Sequence, residues 1–404
     1  RRDIRVINSS LLGTDWYINQ LRKKVNQSDP VDPIWTPEQI EGSTRDIVYA
    51  PQGIYGNNEA MINAYWKKAG IPVAQTDYMD LYTVMKDYAG SDDASKTEQS
   101  REGGVINIFP TQKVSIPVDI NVVRQNGTVN PGDSVVSSVI FDIPKHYLFK
   151  NDAAILNIIA SNKWKRPIYF TSQEAGGLGF GDYIRQDGLT YRLVPVKAKE
   201  NELSVNGDWA FDKMTNKFKF GNADVMGVYF DEENRRHLNT IRLVYAQTAM
   251  YLADNGKKDS ARKVLQQCDK MMLQENFPYG MVSRGQMHNK FSIQMLMAAY
   301  KAGDTVLADK ITKSVKKDLE QQMNYMSHLD DNKQSMIMAY DGSDVQRLLM
   351  YLQQLEMQYK NPLPAVPAET PGQGKINTAP VTTPQTTPPA SATGSRAGDN
   401  QKKK

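Results

Sequence analysis

The sequence predicts an α/β amino-terminal domain with a partly parallel sheet, followed by an all-α tetratricopeptide-like helical domain and a disordered tail. Three observations predict it. Strand-period and helix-period segments alternate up to about residue 231, as in βα units. From Glu232 to about Lys360 the period is that of helices, with almost no proline and many Met, Leu, Ala and Gln residues. Beyond residue 360 the composition turns abruptly, with eight prolines among 44 residues beside many Thr, Ala and Gly, too polar to bury a core. The expected units are therefore 1–231, 232–360 and 361–404.

Along the chain, Asp3 to Asn8 reads as extended, and Asp15 as the cap of a helix carrying Trp16, Ile18, Leu21 and Val25 on one side. Pro30, Pro33 and Pro37 punctuate a loop. Arg45 to Ala50 reads as a strand, and Asn58 to Ala69 as a helix that turns Met61, Ile62, Tyr65 and Trp66 inward. Ser91 to Gly104 is polar and reads as a mobile loop, whereas Val105 to Pro110, Val114 to Val118 and Val135 to Ile143 read as strands. Asp152 is expected to cap a helix over Ala153 to Asn162, with strands over Pro167 to Thr171 and Leu189 to Val196 beyond it. Asn201 to Met226 is polar, with aromatic residues too irregularly spaced for an assignment.

The helical part contains an internal repeat. Ala249, Leu252, Gly256, Ala261 and Leu265 are followed 47 residues later by Leu296, Ala299, Gly303, Ala308 and Thr312. Small residues where two antiparallel helices cross, with Gly ending the first, are what a tetratricopeptide-like hairpin needs, although an ordinary helical bundle satisfies the same pattern.

Composition excludes several classes. The chain has 404 residues, 23% charged and 40% hydrophobic, enough for a well-buried core. The net charge is +4, but five basic and two acidic residues lie beyond residue 360, so the body carries only +1 and no basic footprint for nucleic acid. The single cysteine, Cys268, cannot pair internally and falls among apolar helical positions. No apolar run approaches the ~18 residues of a membrane span. The chain opens on Arg1-Arg2-Asp3 without Met or signal peptide, which reads as a piece whose front end is missing.

Few constellations suggest chemistry. Gly176-Gly177-Leu178-Gly179-Phe180-Gly181 completes neither a phosphate loop nor a dinucleotide fingerprint, so no cofactor is expected. His146, His237, His288 and His328 are isolated, with no metal spacing, and no nucleophile elbow occurs, so no catalytic or metal residue is assigned. Two groups are candidates for ligand contact. Asp15, Trp16 and Tyr17 join a carboxylate to two aromatic rings able to stack on a sugar face, or simply to pack. Asp182, Arg185, Asp187, Tyr191 and Arg192 gather about a strand in Gly181 to Val194; Arg185, Tyr191 and Arg192 could contact a sugar or a peptide, although ordinary ion pairing at a strand edge is the favoured reading.

Three blocks then carry a resemblance. Asp3-Ile4-Arg5-Val6-Ile7-Asn8-Ser9-Ser10-Leu11-Leu12 with Thr14-Asp15-Trp16-Tyr17-Ile18, then Lys163-Trp164-Lys165-Arg166-Pro167-Ile168-Tyr169-Phe170, then Gly188-Leu189-Thr190-Tyr191-Arg192-Leu193-Val194-Pro195, occur in order. They resemble the soluble carboxy-terminal part of the domain-of-unknown-function 2723 family, multi-pass membrane proteins of Gram-negative bacteria similar to a vertebrate protein O-mannosyltransferase. The resemblance implies a glycosyltransferase-C-like membrane core with its catalytic carboxylate in an early extracytoplasmic loop, outside this sequence. It transfers no catalytic residue to any position here.

The expected function is that of a soluble periplasmic region, on the inner membrane, which positions acceptor or partner proteins while catalysis resides elsewhere. The expected partners are acceptor or envelope proteins and, through preceding segments, the membrane; nucleic acid is not one. The alternative is a non-enzymatic scaffold of an envelope assembly that binds partners through its helical repeats. A free-standing carbohydrate-active enzyme would need paired carboxylates at a cleft. Asp133-Ser134-Val135, Asp259-Ser260-Ala261 and Asp304-Thr305-Val306 also match a short acceptor pattern for periplasmic O-glycosylation, but such tripeptides arise often by chance, and Asp259 and Asp304 are read as caps of the second helices of the two hairpins.

Overall fold

The computed structural model describes residues 3–42, 45–72, 77–100, 103–172, 177–199, 204–337 and 342–360. Residues 361–404, with the expected disordered tail, lie outside the described residues, as do Arg1, Arg2 and Gly176. The amino-terminal region mixes helices with short strands, and the carboxy-terminal region is all helical.

The first region opens with Asp3 to Asn8, which form no strand among the described residues. Side chains take the place of a ladder: the Arg5 guanidinium donates to the Gln20 and Lys23 carbonyls at 3.1 and 3.2 Å, and the Asn8 amide donates to the Tyr17 hydroxyl at 2.8 Å. Helix α1 (Asp15–Leu21) follows, with Ile18 and Leu21 buried. Asp15 is its first helical residue, with its carboxylate directed to Gly42 and Lys150; Thr14 holds the cap position but makes no side-chain cap bond, since its hydroxyl donates to the Leu11 carbonyl at 2.7 Å. Pro37 opens α2 (Pro37–Ile40), closed by a capping box between Thr36 and Gln39.

Strand β1 (Ile47–Tyr49) leads through α3 (Pro51–Tyr55) to α4 (Glu59–Lys68), which Asn58 caps; Ile62 and Tyr65 are buried, whereas Met61 lies half-exposed. Strand β2 (Met79–Asp80) runs into α5 (Leu81–Thr83) and a π-helical turn over Val84–Ala89. The polar stretch that reads as a loop contains β3 (Glu98–Gln99), antiparallel to β4 (Val105–Ile106). Next come β5 (Lys113–Pro117), α6 (Ile120–Gln125), β6 (Ser138–Asp142), β7 (Tyr147–Phe149), α7 (Lys150–Asn162), β8 (Tyr169–Phe170), β9 (Ile184–Asp187) and β10 (Thr190–Leu193). α7 begins two residues before Asp152, whose carboxylate pairs with Lys145 at 2.6 Å and does not cap.

These strands form small sheets in the orders β2-β5-β6, β8-β10-β9, β1-β7 and β3-β4. The first is mixed, with β2 parallel to β5 and β6 antiparallel. Sheets this small fix little by themselves, and buried side chains hook the loops together. The indole N–H groups of Trp35, Trp66 and Trp164 donate to the Met85, Pro110 and Pro117 carbonyls at 2.6, 2.9 and 2.9 Å. Arg45 donates to Ala89 and Gly90 carbonyls at 3.2 and 2.8 Å. Lys163 and Trp164 both adopt left-handed φ values, 44° and 59°, in a turn closed by the Lys165 amide on the Asn162 carbonyl at 2.9 Å. Burial of the Trp164 ring holds that costly backbone in place.

Helix α8 (Gly207–Asn216) lies in the stretch that the sequence leaves unassigned. Ala210, Met214, Phe220, Ala223 and Phe230 join a second core with the helices that follow. These are α9 (Glu232–Asp254), α10 (Lys258–Met271), α11 (Met287–Ala302), α12 (Thr305–Ser327), α13 (Asp331–Ile337) and α14 (Ser343–Lys360). The 47-residue repeat is visible as two helical hairpins with the same ending: Gly256 and Gly303 are left-handed at φ 77° and 74°, and the Lys257 and Asp304 amides reach back to the Leu252 and Ala299 carbonyls at 2.8 and 2.9 Å. Ala249, Ala261, Ala299 and Ala308 are fully buried where the helices cross. Asp304 caps α12 through the Leu307 amide at 3.1 Å. Asp259 does not cap α10; Lys257 occupies that position, and Asp259 pairs with Arg262 in the first turn.

The second core encloses a polar side chain. Arg242 is buried between the faces of Phe277 and Tyr279, 4.4 and 4.6 Å from their centroids, and donates to the Phe277 carbonyl at 2.9 Å, the Ser292 hydroxyl at 3.1 Å and the Pro278 carbonyl at 3.2 Å. His288 shares the Pro278 carbonyl at 2.7 Å. Burial, reinforced by the Arg242 charge, lowers its pKa to about 3.

Two outcomes follow. Trp164→Phe keeps most of the buried ring but leaves the Pro117 carbonyl unsatisfied, and urea denaturation should show a loss of about 1–3 kcal/mol. His288 folds neutral, so the unfolded chain binds its proton more readily between pH 6.5 and about 3. Its contribution to stability is complete above pH 6.5 and is lost as pH falls toward 3; His288→Gln should flatten that part of a stability-against-pH curve.

Candidate functional site

The two groups singled out in the sequence lie on separate elements. Asp15, Trp16 and Tyr17 share the first turn of α1. Trp16 is 60% exposed and meets Tyr17 edge to face at 5.5 Å. Tyr17 is half-buried, and with Ile4, Arg5, Val6 and Gln20 it lines a shallow groove beside the amino-terminal segment.

The Asp15 carboxylate accepts from the Gly42 amide at 3.1 Å and from the ammonium of Lys150. Sequence reasoning missed Lys150. Its ammonium is buried and also meets Asp46 at 2.7 Å and the Ile40 and Gly42 carbonyls at 3.1 Å each. Burial alone would lower the Lys150 pKa, but the hydrogen bonds with Asp15 and Asp46 outweigh it and raise the pKa above that of a free lysine. The signal was a lysine opening a helix with the apolar centre Ala153 to Leu156, a position where a solvated charge would be ordinary.

Arg185, Tyr191 and Arg192 lie on the β9–β10 hairpin, with Arg192 directly opposite Arg185. Like charges so placed repel, and buried Asp187 answers both. Arg185 Nε reaches it at 3.1 Å, and Arg192 Nε approaches its other oxygen at 2.8 Å as an ion pair rather than an aligned hydrogen bond. Arg185 further donates to Asp133 at 2.7 Å, and Arg192 to the Gly127 carbonyl at 2.7 Å, while its guanidinium stacks 4.7 Å over Tyr169. Tyr191 points to the other face, where burial raises its pKa. No hydrogen bond or ion pair among the described residues joins this group to Asp15, Trp16 and Tyr17.

The structure adds an aromatic surface that neither pattern announced. Tyr147 and Phe149 on β7 are 45% and 50% exposed, and Lys150 follows directly after them. In the glycine-rich loop, Gly179 is left-handed at φ 106°, and a Cβ there would stand 2.1 Å from the Asp142 carbonyl; the loop packs tightly on β6. Cys268 is fully buried, with its thiol pushed up to about 12, which removes it as a nucleophile. Among the described residues, no three His, Cys, Asp or Glu side chains gather to hold a metal, and no helix is long and apolar enough to cross a membrane.

Comparison with known proteins places the chain. A family model, TMEM260-associated domain 2, matches residues 1–213, which include all three of the blocks above. No curated protein and no solved structure matches. With more than half its length matched, the chain belongs to the TMEM260-associated domain 2 family.

Proposed function

We propose that this chain is the periplasm-facing region of a multi-pass membrane glycosyltransferase-like protein, of the domain-of-unknown-function 2723 type, in the inner membrane of a Gram-negative bacterium. It positions acceptor or partner proteins, and the transfer chemistry belongs to a membrane core similar to that of a protein O-mannosyltransferase. The observation that carries this reading is the family match over residues 1–213. The charges of Lys150, Arg185 and Arg192 are engaged within the fold, which supports a positioning role over a catalytic one. On this reading Trp16 and Tyr17 offer rings to a ligand, and Asp15, Arg185, Tyr191 and Arg192 hold the elements around them.

The helical part is proposed as a tetratricopeptide-like unit, with 1–231 as the α/β unit, whose α8 and Phe220 to Phe230 pack on the helical core, and 361–404 as a polar tail. Its two stacked hairpins favour a second reading, a scaffold for an envelope assembly, because such repeats build binding surfaces. Ser134 and Thr305 are exposed, as acceptors for O-glycosylation would need to be, and Ser260 is partly covered.

Deleting residues 232–360 from the full-length gene separates the two readings. Loss of acceptor glycosylation is the expected result. Intact glycosylation with loss of a co-purifying complex would transfer the assignment to the scaffold, and sugar transfer by this chain alone from a lipid-linked donor would contradict both.

A further inference from the structure

β7 is an edge strand. The β1-β7 ribbon is anchored by the Ala50 amide on the His146 carbonyl and the Lys150 amide on the Asp46 carbonyl, both at 2.8 Å. In the antiparallel pattern this directs the backbone groups of Leu148 toward β1 and those of Tyr147 and Phe149 away from it. β1 is covered on its other side, where Tyr49 exchanges hydrogen bonds with Asn107 and Phe109 at 3.0 and 2.9 Å. Among the described residues, nothing pairs with the outward amides of Tyr147 and Phe149. Native sheets commonly cover or charge such an edge, and this one instead carries two exposed aromatic rings.

We propose that the outer edge of β7 receives an extended peptide segment of a partner protein as an added strand, with a basic residue at the end nearest Phe149. Unpaired backbone amides such as those of Tyr147 and Phe149 are what a strand-adding peptide recognises. Charge gives the polarity: Lys150 neutralises one of Asp15 and Asp46 and leaves a net negative charge beside Phe149, while Lys145 and Asp152 cancel each other. A sugar fits less well, because the Tyr147 and Phe149 rings meet at 80° and share no plane on which a pyranose could lie. The proposal rests on the positioning role above and supplies the way in which an acceptor would be held.

The probe is a short synthetic peptide alternating valine and threonine, with lysine at one end, added to the whole chain. Amide hydrogen exchange at Tyr147 and Phe149 should slow, and the same peptide methylated on alternate amides should bind at least about fivefold more weakly. Tyr147→Pro removes an outward N–H without breaking a ladder bond and should weaken binding similarly, whereas Tyr325→Ala should not. Unchanged exchange at about millimolar peptide, or equal binding of the methylated peptide, would overturn the proposal. So would protection that rises with chain concentration in the absence of peptide, which would assign the edge to a second copy. Absence of membrane segments in the full-length protein would remove the positioning role and leave this exchange result standing.

Discussion

One buried ammonium organises the amino-terminal region. Lys150 opens α7, and its side chain holds α1 through Asp15, the end of α2 through the Ile40 and Gly42 carbonyls, and the entry to β1 through Asp46. Burying a lone cation costs several kcal/mol, and removing one partner of such a cluster strands the others. The constraint therefore acts on four elements together. It matters more here than it would in a large sheet, because the longest strands span five residues and carry little register information. The indole hooks of Trp35, Trp66 and Trp164 extend the same device across the remaining loops.

The helical region uses a different cation for a related purpose. Arg242 forms no ion pair with a carboxylate among the described residues and is held by ring faces, carbonyls and a hydroxyl, so it ties α9 to the segment before α11. Between the two cores, Gln186 on β9 donates to Thr248 on α9 at 2.9 Å, and its own backbone exchanges hydrogen bonds with Ser204 and Asn206. Leu189, in the turn between β9 and β10, adds apolar packing on the second core to this polar connection.

Local signals were legible where local physics decides. The repeat was read from Gly256 and Gly303 because a left-handed helix ending favours glycine, and both positions carry that ending. Asp304 caps as its spacing suggested. Asp15 and Asp152 did not, because each carboxylate is taken by a lysine, Lys150 and Lys145, whose proximity only the tertiary fold creates. Asp3 to Asn8 has the composition of a strand and found side-chain partners in place of a neighbouring strand. α8 went unassigned because its buried positions, Ala210 and Met214, are few and its aromatic residues are irregularly spaced. Ion pairing of Arg185 and Arg192 with Asp187 was legible as the ordinary reading of that charged cluster, but not that Tyr147 and Phe149 would stand exposed on a free edge.

The family match suggests a glycosyltransferase-related protein, and the proposed role is to hold other molecules beside a membrane core. The most direct test of that account is the coding sequence upstream of Arg1. Long apolar segments with an early acidic extracytoplasmic motif are predicted there. A reading frame that opens just ahead of Arg1, without any membrane segment, would contradict it.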